Sequence, residues 1–121
     1  MFESQYLHSP KGENESVEVY SPWFGRGGDH ARFTVDIVQV IEAKLQIEVL
    51  TKNSETAGDG GTTLVLSSLF TSFGQYEINP TVANSTLELV RYKFKVVSTG
   101  TEVGSVLFRM LPPVWFDSVK V

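Results

Sequence analysis

Apolar and polar residues alternate along several short stretches of the chain, which is the pattern of half-buried β-strands. The two longest stretches are 31–41 and 87–98. Shorter predicted strands cover 16–20, 44–51, 74–79 and 102–111, and the apolar, serine-containing stretch 63–70 is predicted to form one strand or a strand followed by a turn. About seven to eight strands at this spacing, with turn residues between them, predict an all-β fold, either an antiparallel β-sandwich or a jelly-roll-like sandwich.

Short connections predict which of these strands pair. Only Glu42 and Ala43 separate two of the stretches, so we expect a hairpin over 31–51. The turn at 98–101 predicts a second hairpin over 87–111, and the two hairpins together are expected to supply most of the core. The apolar set changes parity after Ile37, which indicates a β-bulge or a bend near Val38.

The length of 121 residues fits one domain. Residues 1–15 show no alternation and are predicted to form an extended N-terminal arm. Residues 16–121 are then a single β-sandwich domain, which ends in an aromatic C-terminal tail after Pro112 and Pro113. The first residues do not resemble a signal peptide, and no apolar run approaches the length of a membrane span. We therefore expect no membrane partner.

Residues that could carry catalysis are scarce and scattered. The chain has no cysteine, and its two histidines, His8 and His30, lie far apart without metal-ligand spacing. The glycine-rich loop 25–29 is followed by a predicted strand, whereas a phosphate-binding loop requires a helix at that point. We therefore expect no catalytic, cofactor or metal site, and predict that the protein is not an enzyme.

Aromatic residues outside the strands are the most informative candidates for binding. One group lies at 20–24, and another follows the proline pair, at Trp115 and Phe116. Three roles fit such residues: they can plug the ends of the sandwich, stack on sugar rings, or anchor a subunit interface, where Trp and Tyr are enriched.

Basic residues form a stripe on the second long strand, at Arg91, Lys93 and Lys95, which Arg109 would extend across the predicted hairpin. Such a stripe fits a contact with an acidic protein surface, or a solvated strand face that discourages edge pairing. A net charge of −4 and a pI of about 5.1 argue against nucleic acid as a partner. The complete set of interface candidates is Phe2, Tyr6, Tyr20, Trp23, Phe24, Arg26, Arg91, Lys93, Lys95, Trp115 and Phe116.

With its arm, sandwich and aromatic tail, the chain resembles small all-β virion accessory proteins of bacteriophages and viruses, such as capsid decoration and minor structural proteins. The resemblance implies a non-enzymatic structural protein that binds and stabilises a capsid or similar shell. Its partners would be copies of itself or a shell protein, and its location the virion, or the cytoplasm if it is not viral. The alternative function is that of a carbohydrate-binding β-sandwich module.

Overall fold

The computed structural model describes residues 2–55, 60–81 and 85–117. These residues form ten β-strands and no helix. The strands are β1 (Gln5–Lys11), β2 (Ser16–Tyr20), β3 (Phe24–Gly25), β4 (His30–Ile41), β5 (Ala43–Lys52), β6 (Thr62–Leu66), β7 (Gly74–Ile78), β8 (Leu89–Ser98), β9 (Val103–Met110) and β10 (Val114–Phe116).

The strands form two antiparallel sheets. In the first sheet β1 pairs with β9 and β9 with β4, while β7 pairs with the other side of β4 and β10 with its first residues. In the second sheet the order is β2, β8, β5, β6, and the short β3 pairs with the first two residues of β8. Apart from the short β3 and β10, each sheet has four strands, in the orders β1, β9, β4, β7 and β2, β8, β5, β6, and the chain crosses repeatedly between the sheets as in a jelly roll. The predicted all-β sandwich is confirmed.

The core lies between the sheets and is built by the predicted alternation. Along β8 every second residue, from Val90 to Ser98, is buried, and the residues between them point outwards. The same rule holds for β5 from Ala43 to Val49. The fully buried large side chains are Tyr92, Phe33, Phe108, Ile37, Leu45, Ile47, Met110, Val35, Val49, Val90, Val96 and Val106.

Both predicted hairpins are wrong, because each of the two short connections crosses from one sheet to the other. β4 pairs with β9 and β7, whereas β5 pairs with β8 over ten residues, from Ala43 opposite Ser98 to Lys52 opposite Leu89. Each strand has one apolar face. A strand that crosses to the other sheet buries this face against the core as completely as a strand that pairs with its sequence neighbour in a hairpin. β4 and β5 were predicted to pair with each other, as were β8 and β9. Instead β4 pairs with β9 and β5 pairs with β8.

The terminal segments are also more regular than the sequence predicts. Within the predicted extended arm 1–15, Gln5–Lys11 forms a strand that pairs with β9 at the edge of the first sheet. A strand at the edge of a sheet pairs through its backbone and needs no alternation of side chains. Proline is also tolerated at an edge, and Pro10 lies in the register shift between His8 and Lys11. In the C-terminal tail, Val114–Phe116 pairs with the first residues of β4, and 118–121 lie outside the described residues.

The predicted bulge is confirmed. The register between β4 and β9 shifts between Ile37 and Gln39, and Val38 is exposed at this point. The extra residue lets β4 continue to Ile41 while its inward set changes parity.

Candidate protein-interaction surface

The outer face of the second sheet carries a group of aromatic and cationic side chains. Tyr20 ends β2 and Trp23 lies between β2 and β3, while Arg91 and Lys93 are outward-facing residues of β8 and Lys52 ends β5. Because β8 lies between β2 and β5, its outward side chains meet residues from both neighbours. We call these five residues the cation–aromatic cluster.

Within the cluster, cations lie over aromatic rings. The Cζ atom of Arg91 is 4.4 Å from the ring centre of Tyr20 and 4.6 Å from that of Trp23. The Nζ atom of Lys52 is 4.7 Å from the Trp23 ring centre. Contacts of this kind stabilise by about 0.5–1 kcal/mol each at exposed sites and more when water is excluded. The contacts therefore hold the rings and the cations in defined positions on the surface.

Trp23 is further held by the loop that precedes β6. Gly61 has a φ of +67°, and a Cβ atom there would lie 2.8 Å from Cη2 of Trp23 and 2.9 Å from the carbonyl oxygen of Thr51. Only glycine satisfies both the backbone conformation and the close approach of the ring. The buried Nε1 of Trp23 has no hydrogen-bond partner among the residues that the structure describes, so the ring is held by packing and by cations.

Carboxylates border the cluster on one side. The Nζ atom of Lys93 is 3.3 Å from an oxygen of Glu18 and 3.7 Å from one of Glu48. Desolvation lowers the pKa of Lys93, but the hydrogen bond to Glu18 and the charges of Glu18, Tyr20 and Glu48 outweigh it, so the pKa is raised. A polar recess of about 220 Å³ opens beside these groups and is lined by Glu18, Gln46, Glu48, Leu66, Lys93 and Lys95.

The structure brings together four of the predicted interface residues, Tyr20, Trp23, Arg91 and Lys93, and places Lys95 next to them on β8. Lys52 belongs to the same cluster and was missed. It lies 29 positions from Trp23 in sequence, and no local pattern distinguishes it from other strand-end lysines, so only the pairing of β5 with β8 could have identified it.

Three of the other candidate aromatic residues pack against the core. Phe24 lies 5.4 Å from the ring of Tyr92, and Phe2 lies 6.5 Å from Phe24. Trp115 meets Phe33 edge to face at 6.3 Å and covers Gly27. These three residues close the end of the sandwich, which is the first of the roles considered for them.

The remaining candidates are dispersed. Phe116 stacks on His30 at 5.5 Å, and Tyr6 contacts His8 on the first sheet, away from the cluster. Arg26 braces two loops, since its Nη1 donates to the carbonyl oxygen of Thr86 at 2.6 Å and lies 3.5 Å from Asp29.

The predicted extension of the basic stripe to Arg109 was wrong. Arg109 lies on the first sheet, where it faces Asp36 at 3.7 Å, because β8 and β9 belong to different sheets. The residual stripe on β8 is partly neutralised by Glu18 and Glu48.

No family model, curated protein or solved structure matches this chain. Over the described ranges, no three His, Cys, Asp or Glu side chains lie close enough together to hold a metal ion. In the same part of the chain, no helix is long and apolar enough to cross a membrane.

Proposed function

We propose that the protein is a non-enzymatic structural component of a viral or virus-like shell, which it binds and stabilises through protein–protein contacts. The strand order carries the proposal: viral capsid domains are among the main users of the two-sheet jelly roll. Because one fold serves many functions, the surface of the sandwich must supply the rest of the argument.

The cation–aromatic cluster supports a protein contact. Trp, Tyr and Arg are the residue types that dominate the binding energy of protein interfaces. Here one of each is held together on an open strand face by ring–cation contacts, so little side-chain freedom is lost on binding. The mixed charge of Lys93, Glu18 and Glu48 at the border supplies the polar rim that such interfaces have.

Carbohydrate binding is the alternative, since lectins also use the jelly roll. A sugar ring would have to stack on an open aromatic face. Arg91 and Lys52 both lie within 5 Å of the centre of the Trp23 ring, so a sugar would have to displace a cation before it could stack there. This arrangement favours the protein contact.

The proposal predicts that the purified chain forms oligomers or particles that depend on the cluster. The measurement is sedimentation velocity over a wide range of protein concentration, with negative-stain electron microscopy of the heaviest fractions. Trp23→Ala removes the ring on which two cations lie, and we expect it to weaken assembly by about tenfold or more, as for a residue that dominates an interface.

Lys44→Ala is the matched control, because Lys44 lies on the outer face of the same sheet at the far end of β5 and outside the cluster. It should assemble like the wild type. A glycan array is run in parallel. A wild-type chain that stays monomeric at every concentration would overturn self-assembly through the cluster, and glycan binding abolished by Trp23→Ala would favour the carbohydrate-binding alternative.

A further inference from the structure

Charge is divided unevenly between the second sheet and the rest of the chain. The strands β2, β5, β6 and β8 contain five of the ten cations of the chain but only two of its fourteen acidic residues, Glu18 and Glu48. These charged residues alternate with buried ones, so they lie on the outer face of the sheet. The five cations are Lys44, Lys52, Arg91, Lys93 and Lys95. This face therefore carries more positive than negative charge, although the chain has a net charge of −4.

The carboxylates on and beside this face have partners of their own. Oxygens of Glu18 and Glu48 lie 3.3 and 3.7 Å from Nζ of Lys93. The carboxylate of Glu88, the residue before β8, accepts hydrogen bonds from the backbone N–H and the hydroxyl of Ser54 at 3.4 and 3.1 Å. The excess of cations on the strands is therefore available to an acidic partner.

Negative charge is collected at one end of the sandwich. Three connections lie there: 12–15 between β1 and β2, residue 42 between β4 and β5, and 99–102 between β8 and β9. They contain four glutamates and no cation, and all four glutamates are exposed. Nζ of Lys11, which ends β1, lies 3.7 Å from Glu102, but the two side chains are 70% and 68% exposed, so the pair leaves this carboxylate open. We define the acidic end as Glu13, Glu15, Glu42 and Glu102.

Backbone hydrogen bonds hold three of these glutamates around the end of β8. The N–H of Ser98 donates to the carbonyl oxygen of Glu15 at 2.8 Å, and its hydroxyl donates to that of Glu102 at 2.9 Å. The N–H of Thr99 donates to the carbonyl oxygen of Glu42 at 2.9 Å. The acidic end is therefore a fixed surface of the fold.

The acidic end and the cation–aromatic cluster lie far apart on one copy. Arg91 is near the start of β8 and Ser98 ends it, so at about 3.3 Å per residue they are separated by about 23 Å. Lys52 likewise ends β5, whereas Glu42 precedes the first residue of that strand. The two surfaces cannot meet within one molecule, so each finds the opposite charge only on a second copy.

We propose that the acidic end of one copy binds the cation–aromatic cluster of the next copy in a head-to-tail contact. Complementary charge across an interface selects the partner and its orientation. The carboxylates would face the cations of the cluster, and the rings of Tyr20 and Trp23 would supply apolar area. Because the contact joins two different surfaces, it repeats from copy to copy and builds a closed ring or an open chain of subunits.

This contact rests on the proposed function, because it names the surface that the cluster binds when copies assemble. The test is sedimentation velocity of the full chain and of two variants, Glu15→Lys and Trp23→Ala. We expect the wild type to form assemblies that grow with concentration. Each variant should weaken assembly by about tenfold or more, since one removes the central ring of the cluster and the other places a cation opposite cations.

Glu77→Lys is the matched control. It changes the net charge by the same amount as Glu15→Lys, but Glu77 is an exposed residue of β7 on the first sheet, opposite Thr34. This variant should assemble like the wild type. A urea titration of each variant verifies that the domain stays folded.

Mixing the two defective variants tests the direction of the contact. Glu15→Lys keeps an intact cluster and Trp23→Ala keeps an intact acidic end, so a mixture can form one contact between unlike copies. We expect a dimer with one copy of each variant, which does not grow further, at concentrations at which either variant alone is monomeric. A contact of the cluster with its own copy would give no dimer in this mixture.

The outcomes separate this contact from the proposed function. If only Trp23→Ala weakens assembly, if Glu77→Lys weakens it as much as Glu15→Lys, or if the mixture stays monomeric, the head-to-tail contact is refuted and assembly through the cluster stands. If the wild type is monomeric at every concentration, the contact and self-assembly through the cluster are both refuted. If the mixture forms the dimer but the wild type gives only open filaments in electron microscopy, the contact stands and the shell function is refuted.

Discussion

At the scale of single residues, Tyr92 shows how a side chain that fits the core can still carry a cost. Its ring lies 5.4–5.9 Å from the rings of Phe24, Phe33 and Phe94 and is fully buried. Its hydroxyl is also buried, without a hydrogen-bond partner among the described residues. Alternation predicts that residue 92 points inwards, but it cannot predict that the hydroxyl finds no partner there, because the partner would come from another strand.

Tyr92→Phe should therefore be as stable as the wild type at neutral pH, or more stable by up to about 1 kcal/mol, because an unsatisfied buried hydroxyl is removed and the ring is kept. Urea denaturation measures this. A loss of more than about 1 kcal/mol would show that the hydroxyl has a favourable partner.

The same residue predicts a dependence of stability on pH. Desolvation by burial raises the pKa of Tyr92 above its ordinary value of 10. Below pH 10 the phenol is protonated in both the folded and unfolded states and contributes no pH dependence. Above pH 10 the unfolded state loses the proton first, so stability should fall by about 1.4 kcal/mol per pH unit. The stability difference between Tyr92→Phe and the wild type should accordingly grow with pH above 10, and a constant difference would contradict the argument.

At the scale of elements, the connection from β4 to β5 and the connection from β8 to β9 both cross between the sheets, and they meet at one corner of the sandwich. Glu42 makes the crossing from β4 to β5 in a single residue with a φ of +48°, and its carbonyl oxygen accepts a hydrogen bond from Thr99 N–H in the other crossing. β5 and β8 begin their ten-residue pairing from this corner. The sequence predicts that both connections are short, but short connections serve hairpins and crossings alike, which is why both hairpin predictions failed.

Gly104 lies at this corner, where the neighbouring chain leaves no room for a side chain. A Cβ atom there would lie 2.5 Å from the carbonyl oxygen of Glu42 and 2.9 Å from Cβ of Ala43. Gly104→Ala should therefore destabilise the fold by about 1–3 kcal/mol, as other overpacked substitutions do. Gly25→Ala is the control, since a Cβ there meets nothing within 4 Å, and it should be neutral or slightly stabilising. Equal stability of both variants in urea would show that the corner is not tightly closed.

At the scale of the whole molecule, the cation–aromatic cluster differs in charge from the chain as a whole. The cluster brings Lys52, Arg91 and Lys93 together beside the carboxylates of Glu18 and Glu48, whereas the chain has a net charge of −4. The overall charge of the copies therefore opposes their association at long range, and the cluster is a surface on which both signs of charge are present.

The sequence alone determined the fold class, the direction in which most strand side chains point, the bulge near Val38 and four members of the cluster. These features depend on a period of two along a single strand, which is a local property. Tertiary structure decided which strands pair, that Gln5–Lys11 is an edge strand, that Arg109 lies on the opposite sheet from Arg91, and that Lys52 reaches Trp23. Each of these depends on contacts between segments far apart in the chain. A strand buries the same apolar face whether it crosses to the other sheet or turns back to pair with its sequence neighbour. The apolar pattern therefore cannot distinguish the two arrangements.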